Sequence, residues 1–170
     1  MSHHAHEHQA AATVKLITCG LITISDTRTP ANDTSGALMR ELLLAAGHTV
    51  ASYQIVHDQP TQIVAALDAA IAVGAQVVIT SGGTGIARRD STFEALDALL
   101  EKRLPGFGEI FRMRSYQEIG AAAMLSRATA GIARGALLFA LPGSTNAVRL
   151  ALEELIIPQL PHLVWETIRQ

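Results

Sequence analysis

Cysteine is almost missing from these 170 residues: Cys19 stands alone. No disulfide can form within the chain, which fits a reducing compartment, and the expected location is cytoplasmic. Lysine is nearly as scarce, with only Lys15 and Lys102, so cationic contacts to a phosphate fall mostly to arginine. Net charge is -2, and no basic surface points to nucleic acid. No apolar run is long enough for a bilayer span, and the N-terminus lacks the apolar core of a signal peptide. Two phosphate-binding fingerprints are also missing. There is no Gly-Lys-Ser/Thr ending of a P-loop and no G-x-G-x-x-G spacing. No Ser-His-Asp order, Cys-His cluster or metal-site His spacing stands out in the core, and His48 and His57 read as surface or turn residues.

Apolar residues, by contrast, are plentiful. They make up 49% of the chain, with a mean hydropathy of +0.27, which calls for a packed core. One domain is expected over residues 14–170, with no membrane span. Residues 1–13 carry His3, His4, His6 and His8 among small and polar residues and read as a disordered tail.

Strand and helix patterns then alternate. Apolar, β-branched runs mark strands over 14–24, 48–56, 76–79 and 135–141. Helical patterns cover 37–46, 61–73, a segment from Ser91 or Thr92 toward Arg103, 109–120 and 147–156. Asp33, Thr34 or Ser35 can cap the first, Pro60 opens the second, and Gly47 and Gly74 stop them. Residues 121–133 are Ala-rich and ambiguous, helical at most in their first half, and 121–130 reads as core rather than contact surface. Pro158 and Pro161 are expected to break the helix before a last one to about Ile168. This alternation predicts a three-layer α/β fold, a mostly parallel sheet with helices on both faces. Ligands in such sheets bind at the carboxyl ends of the strands. The four strands end at Asp26, Asp58, Ser81-Gly82 and Pro142-Gly143-Ser144, so polar and glycine residues collect at one edge.

The densest cluster is Thr80-Ser81-Gly82-Gly83-Thr84-Gly85, between a strand and a helix. Such a turn presents backbone N–H groups to an anion, although it can also be a tight turn and no more. Asp90 beyond it can cap a helix or hold a metal ion, and Arg88 or Arg89 can neutralise phosphate. Asp58 can form an Asx turn before Pro60 or reach a ligand. Asp26 and Asp33 are open to the same turn or cap reading. Gly106-Phe107-Gly108-Glu109 reads as a flexible hinge before a helix. Pro142-Gly143-Ser144-Thr145 reads as a second anion turn or an ordinary N-cap.

Together these stretches resemble a known family. Thr80 to Gly85, Arg89-Asp90, Pro105-Gly106-Phe107-Gly108-Glu109, Arg112, Ser126-Arg127 and Leu141-Pro142-Gly143-Ser144 look like the MoaB/MogA family of molybdenum cofactor biosynthesis. Ser25-Asp26, Asn32 to Gly36 and Ala45 to His48 fit it too, and the run from Glu109 to Gly120 is closer to the MoaB branch. The resemblance covers about residues 18–160. It implies a molybdopterin-binding fold, a homotrimer or homohexamer, and adenylylation of molybdopterin by ATP with Mg²⁺ and release of pyrophosphate. It matches Asp58 and Asp90 to the two acids that matter most, as catalytic and metal-holding groups. Binding roles are implied for Ser25, Ser81, Gly82, Gly83, Thr84, Gly85, Gly108, Glu109, Ser126, Pro142, Gly143 and Ser144. Some MoaB-branch members lack the first acid, whereas this chain keeps both. It departs at His57 and Thr145, where many members have proline. Two other functions stay open: a non-catalytic pterin-binding or scaffold protein, and a molybdate-inserting relative. The short chain disfavours the latter, to which an active enzyme would hand over its product.

Overall fold

A computed structural model describes residues 16–87 and 90–168. The expected tail over 1–13 and the phosphate role considered for Arg88 and Arg89 lie outside the described residues. The strands are β1 Thr18–Ile24, β2 Thr49–Val56, β3 Val77–Ser81, β4 Lys102–Arg103, β5 Thr129–Ala133 and β6 Ala136–Leu141. The helices are α1 Thr34–Ala45, α2 Pro60–Ala72, α3 Thr92–Ala98, α4 Pro105–Ile119, α5 Thr145–Leu150 and α6 Ile157–Ile168. The sheet runs β2-β1-β3-β6-β5-β4. Its first four strands run parallel to one another, β5 pairs antiparallel with β6, and β4 pairs antiparallel with β5.

Both faces of the sheet are covered. Cys19, Leu21, Val77, Ile79, Leu137 and Phe139 face one side and pack with α1, α4, α5 and α6. Ile22, Ile24, Val78, Leu138 and Ala140 face the other and pack with α2 and α3. The period of two survives inside runs that are apolar throughout, because each face has its own helix layer. Burial pushes the Cys19 thiol up to about 12, so it stays protonated as an inert core group. No helix among the described residues is long and apolar enough to cross a membrane.

Four expectations are corrected. The helix starting at Thr92 stops at Ala98 rather than near Arg103, because Lys102 and Arg103 pair with Ile132 and Gly131 as an edge strand. The Gly106–Glu109 hinge is instead the first turns of α4. Pro105 suits a first helical position, and Phe107 is fixed edge-on against Phe139 at 5.2 Å between ring centres. The ambiguous Ala-rich stretch is helical in its first half, as expected, with a 3₁₀ helix over Gly120–Leu125 before β5. Residues 121–130 are not simply core, however: Met124 is 81% exposed and Leu125 60%. Last, Pro158 and Pro161 do not separate two helices. A π-helix over Ala151–Ile156 joins α5 to α6. A π turn shifts the bonding pattern just where proline lacks an N–H. Leu152, Ile156, Leu160 and Val164, four apart, are buried along this rod, so packing outweighs the proline signal.

Candidate functional site

The parallel register aligns the strand ends. Ile24 pairs with Val56, Thr23 with Ser81, and Ser81 with Leu141. The segments after β1, β2, β3 and β6 therefore leave the sheet along one edge. β5 runs the other way, and Thr129 pairs with Ala140, so the segment entering β5 reaches that same edge. That entry carries Ser126 and Arg127.

Between β3 and α3 the chain makes a turn that only glycine can make. Gly82 and Gly83 have φ of +104° and +64°. A Cβ on Gly82 would overlap the Ile24 carbonyl, and one on Gly83 would overlap the Thr92 hydroxyl and lie 3.1 Å from Asp58 Oδ2. A Cβ on Gly85 would overlap Asp90 Oδ2. The two acids therefore flank the loop, Asp58 beside Gly83 and Asp90 beside Gly85. Asp58 Oδ1 accepts from Thr92 Oγ1 at 2.8 Å and Ser91 Oγ at 3.4 Å, while Asp90 Oδ2 accepts the Ala87 N–H at 2.9 Å. Asp26 Oδ1 holds the entry to α2, accepting the Asp58 N–H at 3.3 Å and lying 3.2 Å from His57 Nδ1.

The Gly82 N–H donates to the Leu141 carbonyl at 3.0 Å. Beyond it, no hydrogen bond among the described residues uses the N–H of Gly83, Thr84, Gly85 or Ile86. Four consecutive N–H groups without a partner among the described residues, following left-handed residues at Gly82 and Gly83, are what an anion-binding turn offers. Gly83, Thr84 and Gly85 border a cleft of about 260 Å³ lined also by Ser25, Arg28, Asp33, Ser35, Ser81 and Gly143. Ser81 adds a hydroxyl that is 1% exposed and has no hydrogen-bond partner among the described residues. A buried orphan hydroxyl at a cleft marks a place for a polar ligand.

The other expected site residues divide. Ser25 lines the cleft, but its hydroxyl oxygen accepts the Thr27 and Arg28 N–H groups at 3.2 Å each, which folds the loop carrying Arg28. Gly143 packs on Gly82, with a hypothetical Cβ 3.2 Å from the Gly82 Cα, so the two glycine turns abut. Ser144 is an N-cap, accepting the Ala147 N–H at 3.2 Å, and Pro142 precedes it. Gly108 and Glu109 line a separate cleft of about 200 Å³ with Phe93, Arg112 and Thr129. Ser126 ends the 3₁₀ helix, its N–H bonded to the Ala123 carbonyl at 3.0 Å.

Three residues were not singled out as ligand-side groups from the sequence alone. Arg28 brings the positive charge to the first cleft and donates Nη1 to the Asn32 carbonyl at 2.8 Å. Arg127 Nε donates to the Thr84 carbonyl at 2.9 Å, and its Nη2 to the Gly85 carbonyl. Asp33 proves to be the cap of α1, accepting the Gly36 N–H at 2.9 Å and the Tyr53 hydroxyl at 2.5 Å. Burial pushes its carboxyl up, but the Thr23 and Tyr53 hydroxyls, the Gly36 N–H and the Arg28 charge together hold it below the usual carboxylate range. Burial and the Asp33 contact push Tyr53 up to about 12. His48, expected at a surface or turn, is 6% exposed beside β2, and burial lowers its pKa.

With this geometry in place, likeness to known proteins becomes decisive. Residues 20–162 match the model of a family described as a probable molybdopterin binding domain. The chain is 50% identical to molybdenum cofactor biosynthesis protein B of Halalkalibacterium halodurans, covering 99% of both chains. It belongs to the MoaB family. The Bacillus subtilis member is 48% identical, with 98% of this chain and 97% of that one covered. A solved structure of molybdenum cofactor biosynthesis protein B superposes with a TM-score of 0.89 at 51% identity, covering 92% of this chain and 98% of that one. The tungsten cofactor synthesizing protein MoaB from Pyrococcus furiosus gives 0.83 at 43%, covering 90% and 98%. A MoaB-family chain is thus a molybdenum cofactor biosynthesis protein with a molybdopterin-binding domain, and the MoaB/MogA-like α/β fold expected from the sequence is the fold observed.

Proposed function

We propose that this MoaB-family chain adenylylates molybdopterin, using ATP and releasing pyrophosphate. The observation that carries this reading is the row of free N–H groups from Gly83 to Ile86, set between Asp58 and Asp90. In the reaction, a terminal phosphate oxygen of molybdopterin forms a bond to the α-phosphorus of ATP, and the bond from that phosphorus to the bridging oxygen of pyrophosphate breaks. A phosphate monoester has a second pKa of about 6 and attacks already ionised. The site needs no strong base, in keeping with the lack of a histidine at the loop. What it must do is hold two anions in line and offset their repulsion. The loop amides and the Ser81 hydroxyl bind phosphate oxygens, and Arg28 supplies positive charge at the cleft wall.

The two acids suit Mg²⁺. No group of three or more acidic, His or Cys side chains that could hold a metal exists among the described residues. Mg²⁺ commonly binds through one or two carboxylates plus substrate phosphates, so a pair facing a phosphate loop fits it. Asp58 Oδ2 and Asp90 Oδ1 are the oxygens left over from the bonds above. When bound there, Mg²⁺ neutralises phosphate charge. The second cleft, with Gly108, Glu109 and Arg112, lies along the same edge and suits another part of the two substrates. Ile110, Met113, Tyr116 and Ile119 leave an exposed apolar face on α4 that continues to Met124 and Leu125, which supports the homotrimer or homohexamer and can be checked by sedimentation.

The test is Mg²⁺-dependent pyrophosphate release from ATP plus molybdopterin. Wild type should release it, and Asp90→Asn should slow release on the order of 10²-fold or more. Equal rates would overturn the mechanism. Molybdopterin binding without any release would favour the non-catalytic pterin-binding or scaffold protein.

A further inference from the structure

Arg127 enters the site from the segment before β5, and each of its three guanidinium nitrogens is engaged within the protein. Nε donates to the Thr84 carbonyl at 2.9 Å and Nη2 to the Gly85 carbonyl. Nη1 pairs with Glu94 Oε1, and Nη2 also lies 3.5 Å from Glu94 Oε2. The guanidinium carbon sits 4.8 Å from the centre of the Phe93 ring. Phe93 and Glu94 both belong to α3, so the arginine bridges the helix and the glycine loop. Its side chain is 23% exposed. Hydrogen bonding to Arg127 holds the Glu94 carboxyl below its usual range, so the pair is ionised and nearly neutral as a unit.

Peptide planarity gives these contacts a consequence. In a trans peptide the C=O and the following N–H point in opposite directions. Fixing the Thr84 carbonyl on Arg127 turns the Gly85 N–H away from it, and fixing the Gly85 carbonyl does the same for the Ile86 N–H. These are two of the four free donors. A loop with left-handed residues at Gly82 and Gly83 has many alternative conformations, because glycine opposes none of them strongly. The planar fork of one arginine, braced by an acid and an aromatic face, removes that freedom before a ligand arrives.

We propose that Arg127 is the positioning residue of the anion loop: by clamping the Thr84 and Gly85 carbonyls it pre-orients the Gly85 and Ile86 N–H groups toward phosphate. It acts through the backbone and makes no contact with phosphate itself. This inference rests on the reading of the loop as a phosphate site.

ATP with Mg²⁺ is the probe, and its affinity is measured by calorimetry across a range of salt concentrations. Arg127→Ala should weaken ATP at least 10-fold, and the loss should persist at high salt, where the Glu94 charge that the substitution uncovers is screened. Arg127→Lys should fail to rescue, because one ammonium cannot span two carbonyls and a carboxylate. Glu94→Gln, which loosens the brace and spares the carbonyl contacts, should weaken ATP by less than Arg127→Ala. Wild-type affinity in Arg127→Ala or Arg127→Lys overturns the proposal. A loss that vanishes at high salt overturns it as well, because Arg127 would then act through its charge rather than by holding the loop. If wild type itself binds no ATP, the loop reading fails instead. Should the alanine variant not fold, the lysine and glutamine variants decide.

Discussion

Two turns at the same sheet edge carry a similar glycine-and-hydroxyl composition and do different things. After β3, Ser81-Gly82-Gly83-Thr84-Gly85 keeps its N–H groups from Gly83 onward unspent and its Ser81 hydroxyl unpartnered among the described residues. After β6, Pro142-Gly143-Ser144 spends its polar groups on the fold. Ser144 caps α5, the Gly143 carbonyl accepts from Ser35 Oγ at 2.9 Å, and Gly143 packs against Gly82. On the proposed reading the first turn is the receptor, and the second is the wall that abuts it. Composition alone cannot separate them, because both need glycine for close approach and both carry a hydroxyl beside it. What separates them is where the hydrogen bonds go.

The largest effect that would break this contrast is expected at Gly83. In Gly83→Ala the new methyl meets the Thr92 hydroxyl and crowds Asp58, at a φ of +64° that alanine resists. The loop must shift, and pyrophosphate release should fall on the order of 10²-fold, as misplacements of about 1 Å commonly do. A steady-state assay reads this directly, and an active Gly83→Ala would remove the distinction between the turns.

Next in size is Asp33, which anchors α1 beneath the second turn. Asp33→Ala removes the cap and strands the Tyr53 hydroxyl, and should cost about 2 kcal/mol in urea unfolding. The pH dependence follows from the sign of its shift. The folded pKa lies below the unfolded value of about 3.9, so the contribution is complete above that value and is lost as pH falls through the depressed folded pKa. Wild type should therefore lose stability below about pH 4 more steeply than Asp33→Ala does. Smallest is Ser144→Ala, at about 1 kcal/mol of stability with little change in activity. A large loss of activity with stability intact would return Ser144 to the ligand side and blur the comparison.

The sequence made the parallel half of this fold easy to read. β1, β3 and β6 are continuous apolar runs and β2 is mixed, each ending in polar or glycine residues, so their shared edge was legible from pattern, whereas the weight on Asp58 and Asp90 came from the family resemblance. β5 was hidden because alanine-rich Thr129–Ala133 looks as helical as it looks extended, and its strand form depends on pairing with β6. The available clue was Arg134-Gly135, a two-residue hairpin with φ of +53° and +79°. Missing β5 meant missing how Arg127 reaches the loop. Asp33 was legible as a cap candidate, but its bond to Tyr53 joins residues 20 apart and has no local signature. The continuous rod from Thr145 to Ile168 was masked by Pro158 and Pro161, since local proline chemistry said nothing of the buried stripe that overrides it.

The central claim is that phosphate lands on the loop after β3 and not on the turn after β6. The most direct measurement is an amide NMR titration of the protein with ATP and Mg²⁺. The N–H resonances of Gly83, Thr84, Gly85 and Ile86 should move most, while Ala147, already bonded to Ser144, should stay nearly still. Large shifts at Ala147 with the four loop amides unmoved would contradict the account.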